Sequence, residues 1–173
     1  MREIPWILAL ALVVCAGWMD WRSSRIPNWL TVPGLLIGIV TNTLLAEKAG
    51  AWMALGGAGL ALAVLFPFVL LRGLGAGDWK LMGALGAFLG TGQVIVVLLG
   101  TIFLTGILAV IQITRMRRWR ATLGNLGELI LSFITFGHHA RPDLTLENPG
   151  LLKLPFGTAA AVATVLFYGI VRI

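Results

Sequence analysis

Apolar residues in this chain gather into six runs, separated by short polar or glycine-containing breaks. The first extends from about Ile4 to Met19 and stops at Asp20-Trp21-Arg22. The second covers about Trp29 to Leu45, the third about Ala51 to Leu71, and a shorter fourth about Trp79 to Leu89. The fifth is about Val94 to Thr114 and the sixth about Pro155 to Val171. A helix crosses the hydrocarbon core untilted with roughly 20 apolar residues, and several of these runs fall short of that. The fourth is the shortest; its length alone would suit a re-entrant segment or one recessed inside a bundle. The pattern predicts an all-α polytopic membrane protein of about six transmembrane helices, forming a single membrane-embedded domain over 1–173. Arg2 followed by the apolar run Ile7 to Ala16 resembles a signal peptide, but no small-x-small cleavage site leads into a soluble domain. Leu12-Val13-Val14 also lacks the small residue expected before a lipidated Cys15. A retained first helix is the expectation.

Composition supports this division. Of 173 residues, 58% are hydrophobic and only 12% charged, with a mean hydropathy of +0.94. A soluble domain carries about 25% charged residues, so this chain could not clothe a water-facing surface. The net charge of +6 then reads as topology and as affinity for anionic lipid headgroups, not for nucleic acid. With the N-terminus outside, the inward loops are 20–28, 72–80 and 115–154. They hold ten of the thirteen basic residues, leaving Arg2, Lys48 and Arg172 outside. Lysine and arginine concentrate in cytoplasmic loops, so the bias predicts both termini outside and a fourth run that spans.

The inward loop 115–154 is the one stretch with room for its own structure. It opens on Arg115-Met116-Arg117-Arg118-Trp119-Arg120, a basic-aromatic cluster of the kind that anchors to headgroups. Leu123, Leu126, Leu129, Ile130, Phe133, Ile134 and Phe136 follow near helical spacing, predicting an amphipathic helix on the inner face. The single cysteine, Cys15, forms no intramolecular disulfide and no multi-cysteine metal site. His138 and His139 lack a third ligand type nearby and read as loop-surface residues. No metal or organic cofactor is implied. Gly56, Gly57 and Gly59 on the third run, with Gly83, Gly86 and Gly90 on the fourth, fit close helix packing.

Of seven acidic residues, only Asp20 and Asp78 abut apolar runs at the inner boundary. The lysine and arginine count places both at one membrane depth although they are 58 positions apart. An aspartate at a helix centre costs ~2.5–3.5 kcal/mol on insertion scales, less near the interface, so such residues usually have a partner or a task. Two carboxylates brought together cannot both ionise comfortably: one keeps a proton and the other serves as a base. Such a pair can activate a water against a peptide carbonyl and pass a proton to the leaving amine. Position alone would equally allow each aspartate to cap or flank a helix. The context Gly75-Ala76-Gly77-Asp78 shifts the balance. Its glycines permit torsions that a side chain would forbid and leave space for an extended peptide.

These residues carry a family resemblance. Gly75-Ala76-Gly77-Asp78-Trp79-Lys80-Leu81 is similar to the G-x-G-D-x-K-L segment of type IV prepilin peptidases, within the GxGD membrane aspartic proteases. Asp20-Trp21-Arg22-Ser23-Ser24-Arg25-Ile26-Pro27-Asn28-Trp29-Leu30-Thr31 resembles their second signature, an aspartate and a basic stretch before I-P-N-x-L-T. Leu154-Pro155-Phe156-Gly157 resembles the start of their last helix. The resemblance implies that Asp20 and Asp78 are the catalytic pair. It also makes Gly75, Gly77, Lys80, Pro27 and Asn28 candidates for substrate contact. Each of these has a plainer reading beside it. Lys80 points away from Asp78 in a regular helix and could snorkel to headgroups. Pro27 and Asn28 make a natural stop and start, with Asn28 as an N-cap. Thr31 and Trp79 read as packing residues.

The resemblance further implies an endopeptidase of the bacterial inner membrane. It would cut the leader from prepilin or pseudopilin substrates at the cytoplasmic face. Such a substrate has a short basic leader and an apolar helix, and is cut just after a glycine. Larger relatives carry paired CxxC motifs and are associated with N-methylation. This chain has neither feature and is more similar to the short peptidases of tight-adherence (Flp-type) pilus systems. Methyltransferase activity is not expected. The alternatives are a small proton- or ion-coupled transporter using the aspartates as a relay, and a non-catalytic assembly protein for a pilus or secretion machine. The particular prepilin and the oligomeric state are not readable from the residues.

Overall fold

The structure is a computed structural model, which describes residues 3–70, 74–116 and 155–172. The described residues form four continuous helical runs and no strand: α1 (Glu3–Ser23), α2 (Asn28–Leu70), α3 (Ala76–Met116) and α4 (Phe156–Arg172). Two of these runs are broken. In α2 the chain leaves helical torsions at Ala46 (φ −141°, ψ 22°) and Glu47 (φ 50°, ψ −131°). In α3 it does so at Gly90 (φ 77°, ψ 178°), a conformation that only glycine adopts without strain. Six helical segments result, and their boundaries follow the six apolar runs to within a few residues. The amphipathic helix expected at Leu123 to Phe136 lies outside the described residues, as does the 115–154 loop beyond Met116.

α1, α2 and α3 are each long and apolar enough to cross a membrane, and α4 is a shorter apolar helix. The distribution of side-chain size supports a membrane location. Large apolar residues face outward, among them Ile7, Trp18, Leu44, Trp52 and Phe103. The interior is instead rich in small ones: Ala9, Ala16, Ala54, Ala58, Ala61, Ala84, Ala87 and Ala160 are buried. Lipid tails are as apolar as leucine, so nothing drives large side chains inward, and association favours close backbone approach.

The segment at the centre is the short one before Gly90. Every residue from Leu81 to Gly90 is buried. At 1.5 Å per residue, 76–90 reaches only about 22 Å. Because protein surrounds 81–90, that part of the segment has no lipid-facing side to match to the bilayer thickness. The recessed reading of the fourth run is the observed one.

Its packing against α2 is backbone to backbone. A side chain on Gly57 would collide with the Gly86 carbonyl, and one on Gly86 with the Gly57 carbonyl. Gly38 lies against Ala87, and Gly83 against Leu62. Gly90 touches Met53 and also makes the helix break. Gly59 departs from the expectation, with open space beside it.

Next to the break at Gly90, the Asn42 side chain bonds the last carbonyls of the central segment. Its buried Nδ2 donates to Ala87 O (2.8 Å) and Phe88 O (3.0 Å), and lies 3.3 Å from Gly38 O. Among the described residues, α1 packs chiefly on α4, and the two run antiparallel. Trp6 meets Phe167 and Tyr168 at one end, while Asp20 meets Thr158 at the other.

Candidate active site

Asp20 belongs to a helical stripe. The buried residues of α1 are Pro5, Trp6, Ala9, Leu12, Val13, Ala16, Gly17 and Asp20, recurring every three or four positions. The aspartate is the last member of the face that meets α4, whereas Trp18 and Trp21 on the other side stand exposed. Helix α1 continues past it to Ser23, four residues beyond the Met19 boundary read from the apolar run. Only 6% of Asp20 is exposed. Its Oδ2 accepts the main-chain N–H of Thr158 at 3.2 Å.

Asp78 sits half-buried in the first turn of α3, where the N–H groups of a helix favour negative charge. The turn is fixed by Trp79. Its main-chain N–H donates to Gly75 O (3.1 Å), and its indole Nε1 donates to Leu62 O (2.8 Å), in the turn before Pro67. The ring also lies 6.0 Å from that of Phe66. The packing expectation for Trp79 thus holds, with a hydrogen bond added. Thr31 is fully buried as well, and its hydroxyl has no partner among the described residues.

The two aspartates are brought together. Asp20 near the end of α1 and Asp78 in the first turn of α3 stand on either side of one residue of the α1–α2 connection. Ile26, in the connection between α1 and α2, is the wedge between the two sides. Its carbonyl and Cβ lie against Gly77, while its Cδ1 lies against Gly157, which in turn touches Asp20.

The glycines before Asp78 work differently from the sequence expectation. Neither Gly75 nor Gly77 has a positive φ; among the described glycines only Gly90 does. What they supply is clearance. A Cβ on Gly75 would lie 2.9 Å from Oδ2 of Asp78, and a Cβ on Gly77 would lie 2.8 Å from the Ile26 carbonyl oxygen. The space they leave is taken up by the carboxyl group and by the α1–α2 connection.

The remaining motif residues lie on the same side. Pro27 O accepts the N–H of Leu30 (3.1 Å) and Thr31 (3.4 Å), which starts α2. The Asn28 side chain does not cap that helix. Its Oδ1 accepts from Lys80 Nζ at 3.0 Å, tying the start of α2 to the start of α3. The Lys80 ammonium is accordingly occupied by Asn28. A shallow open concavity of about 450 Å³ adjoins this bond, lined by Met19, Ser23, Arg25, Ile26, Pro27, Asn28 and Trp29.

With both signatures converging on one end of the bundle, the comparison with known families is decisive. The profile of the type IV leader peptidase family matches residues 6–110, which include Asp20, the Ile26-Pro27-Asn28 connection and Asp78. The chain belongs to the type IV leader peptidase family. No curated protein and no solved structure gives a match. The family match covers well over half of the chain and ends before α4. The contact of α4 with Asp20 is therefore a finding of the structure alone.

Two features escaped the sequence reading. Asn42 is a lone amide within an apolar run, and such a residue inside a membrane segment is usually bonded to something; that signal was available. The second is Thr158. Leu154-Pro155-Phe156-Gly157 marked the start of a helix, but nothing local pointed that start at Asp20.

Proposed function

We propose that this member of the leader peptidase family is an aspartic endopeptidase, with Asp20 and Asp78 as its catalytic pair. The observation that carries the reading is the placement of Asp20 on α1 and Asp78 on α3 at one end of the bundle, on either side of Ile26. The pair holds a water. The ionised member takes a proton from it as it attacks the peptide carbonyl, and the neutral member hydrogen-bonds the carbonyl oxygen. A proton then passes to the leaving amine. The pair titrates as a unit, so its pH–rate profile reports macroscopic values belonging to both residues.

The substrate is a prepilin-like chain with a basic leader and an apolar helix, cut after the glycine between them. Gly75, Gly77, Pro27, Asn28 and Lys80 border the route by which such a peptide reaches the aspartates. Binding of an extended segment there would draw on the concavity beside Ile26. The charge distribution supports six spans with both termini outside and the site at the cytoplasmic face of a bacterial inner membrane. Anionic headgroups meet the basic loops on that side. N-methylation of the new terminus is not part of this activity. Placement of Asp20 near the end of α1 and Asp78 in the first turn of α3 favours peptide chemistry at the boundary over ion relay. Relay carboxylates are more often found at mid-membrane.

The test is co-expression of a prepilin with the wild-type, Asp20→Asn or Asp78→Asn form, followed by the electrophoretic shift of the pilin. Each substitution is expected to abolish processing while the protein remains in the membrane at normal level. Processing that survives either change removes the two-aspartate mechanism.

A further inference from the structure

The start of α4 faces the site with unused donors. The first main-chain bond of this helix runs from Ala159 N–H to Pro155 O at 3.1 Å. The N–H groups of Phe156, Gly157 and Thr158 therefore have no partner within the helix. That of Thr158 meets Asp20 Oδ2 at 3.2 Å, and that of Gly157 is directed at the same carboxyl group. The same residue's hydroxyl donates to Gly17 O at 3.2 Å, one turn earlier on α1. Thr158 thus bonds α1 twice, its main-chain N–H to the Asp20 carboxyl group and its hydroxyl to the Gly17 carbonyl.

Gly157 makes this approach feasible. A Cβ there would lie 3.1 Å from both Cβ and Oδ2 of Asp20, and 2.7 Å from Ile26 Cδ1. The helices meet with equal closeness at Gly17, where a Cβ would lie 2.9 Å from that of Ala161. Little water reaches Asp20 to compete for its oxygens.

We propose that the main-chain N–H of Thr158 is a positioning group for Asp20, holding its carboxyl group in the one orientation in which it faces Asp78. The proposal rests on the peptidase reading above for its catalytic meaning. An oxygen that accepts an N–H is a poor place for a proton, so Oδ2 is committed as an acceptor and Oδ1 is left for the chemistry. The donor favours an ionised carboxylate, so without it the pair as a unit holds its proton more readily.

The test replaces the amide at Thr158 by an ester, which deletes the N–H and keeps the side chain. Hydrogen bonds to charged groups are the stronger ones, so kcat for prepilin cleavage is expected to fall about ten- to hundredfold. KM should hold, and the acid limb of the pH–rate profile should move to higher pH. Thr158→Val keeps the N–H and loses the hydroxyl. Its kcat is expected to fall by no more than about fivefold, with the acid limb moving clearly less than in the ester form. An ester form with wild-type kcat and profile overturns the proposal, as does a Thr158→Val form that reproduces the ester's shift.

A second measurement needs no altered backbone and no activity. In the unmodified protein the Thr158 amide proton resonance should follow the titration of the aspartate pair, and in the Asp20→Asn form it should not respond to pH. A Thr158 amide that is indifferent to pH in both forms overturns the positioning role while leaving the peptidase reading intact. Conversely, prepilin processing that survives Asp20→Asn overturns the peptidase reading whatever this resonance does.

Discussion

The two aspartates are presented by helix pairs of different construction. Asp78 belongs to the pairing of α2 with α3, where Gly57 and Gly86 let the backbones touch and Asn42 closes the end of the central segment. Asp20 belongs to the pairing of α1 with α4. That pairing has small residues at Gly17 and Gly157, but polar contacts set its ends: Thr158 to Asp20 and Gly17, and Tyr168 to Glu3. One carboxyl group is thus held by a helix with almost no freedom to shift, the other by a few hydrogen bonds between helix ends. Steric contact between backbones is steep with distance and tolerates no added atoms. Hydrogen bonds between helix ends can be lost singly, leaving the rest of the interface in place. Damage should therefore be global on the first pairing and local on the second.

The largest expected effect comes from Gly86→Val. Overpacking of a filled interior costs about 1–3 kcal/mol where side chains can yield. Here the collision is with the Gly57 main chain, so the cost should lie above that range. Loss of monodisperse protein after detergent extraction is the expected result; a Gly86→Val form with the wild-type thermal midpoint would show that the pairing is looser than described.

Asn42→Leu is next. It leaves the carbonyls of Ala87 and Phe88 without their side-chain donor in apolar surroundings, at about 1–3 kcal/mol for each group left unsatisfied. The protein should still fold, with a lowered thermal midpoint, and hydrogen exchange should quicken around Gly90 before it does elsewhere. Equal quickening in α4 would contradict the separation of the two pairings.

Tyr168→Phe is the mildest of the three. It deletes the exposed bond to Glu3 Oε2 (3.2 Å) and should cost about 0.5–1 kcal/mol, with prepilin cleavage retained. A double-mutant cycle with Glu3→Gln separates this bond from the stacking of Trp6 on Tyr168, whose ring centroids lie 5.4 Å apart.

Much of this architecture could be read from local pattern. The apolar runs place the six helical segments because burial and length act residue by residue along the chain. The Gly-Ala-Gly-Asp turn and the Ile-Pro-Asn connection mark the site for the same reason: each is a contiguous set of residue types. The stripe Ala9, Leu12, Val13, Ala16, Gly17 and Asp20 was equally local and could have shown which face of α1 turns inward.

What the tertiary structure alone decided concerns groups that meet across the chain. Gly75 and Gly77 suggested unusual torsions, yet they serve as clearance for Asp78 and Ile26, because a collision depends on what arrives from elsewhere. Asn28 suggested a helix cap, but its oxygen goes to Lys80, 52 positions away. Thr158 meets Asp20 across 138 positions, through a main-chain N–H that every residue except proline carries. Sequence by itself determined the helices, the family and the two aspartates at one boundary, since these follow from composition, spacing and motif. Only closure of α4 onto α1 selected the donor that holds Asp20, because a backbone amide becomes specific through its position alone.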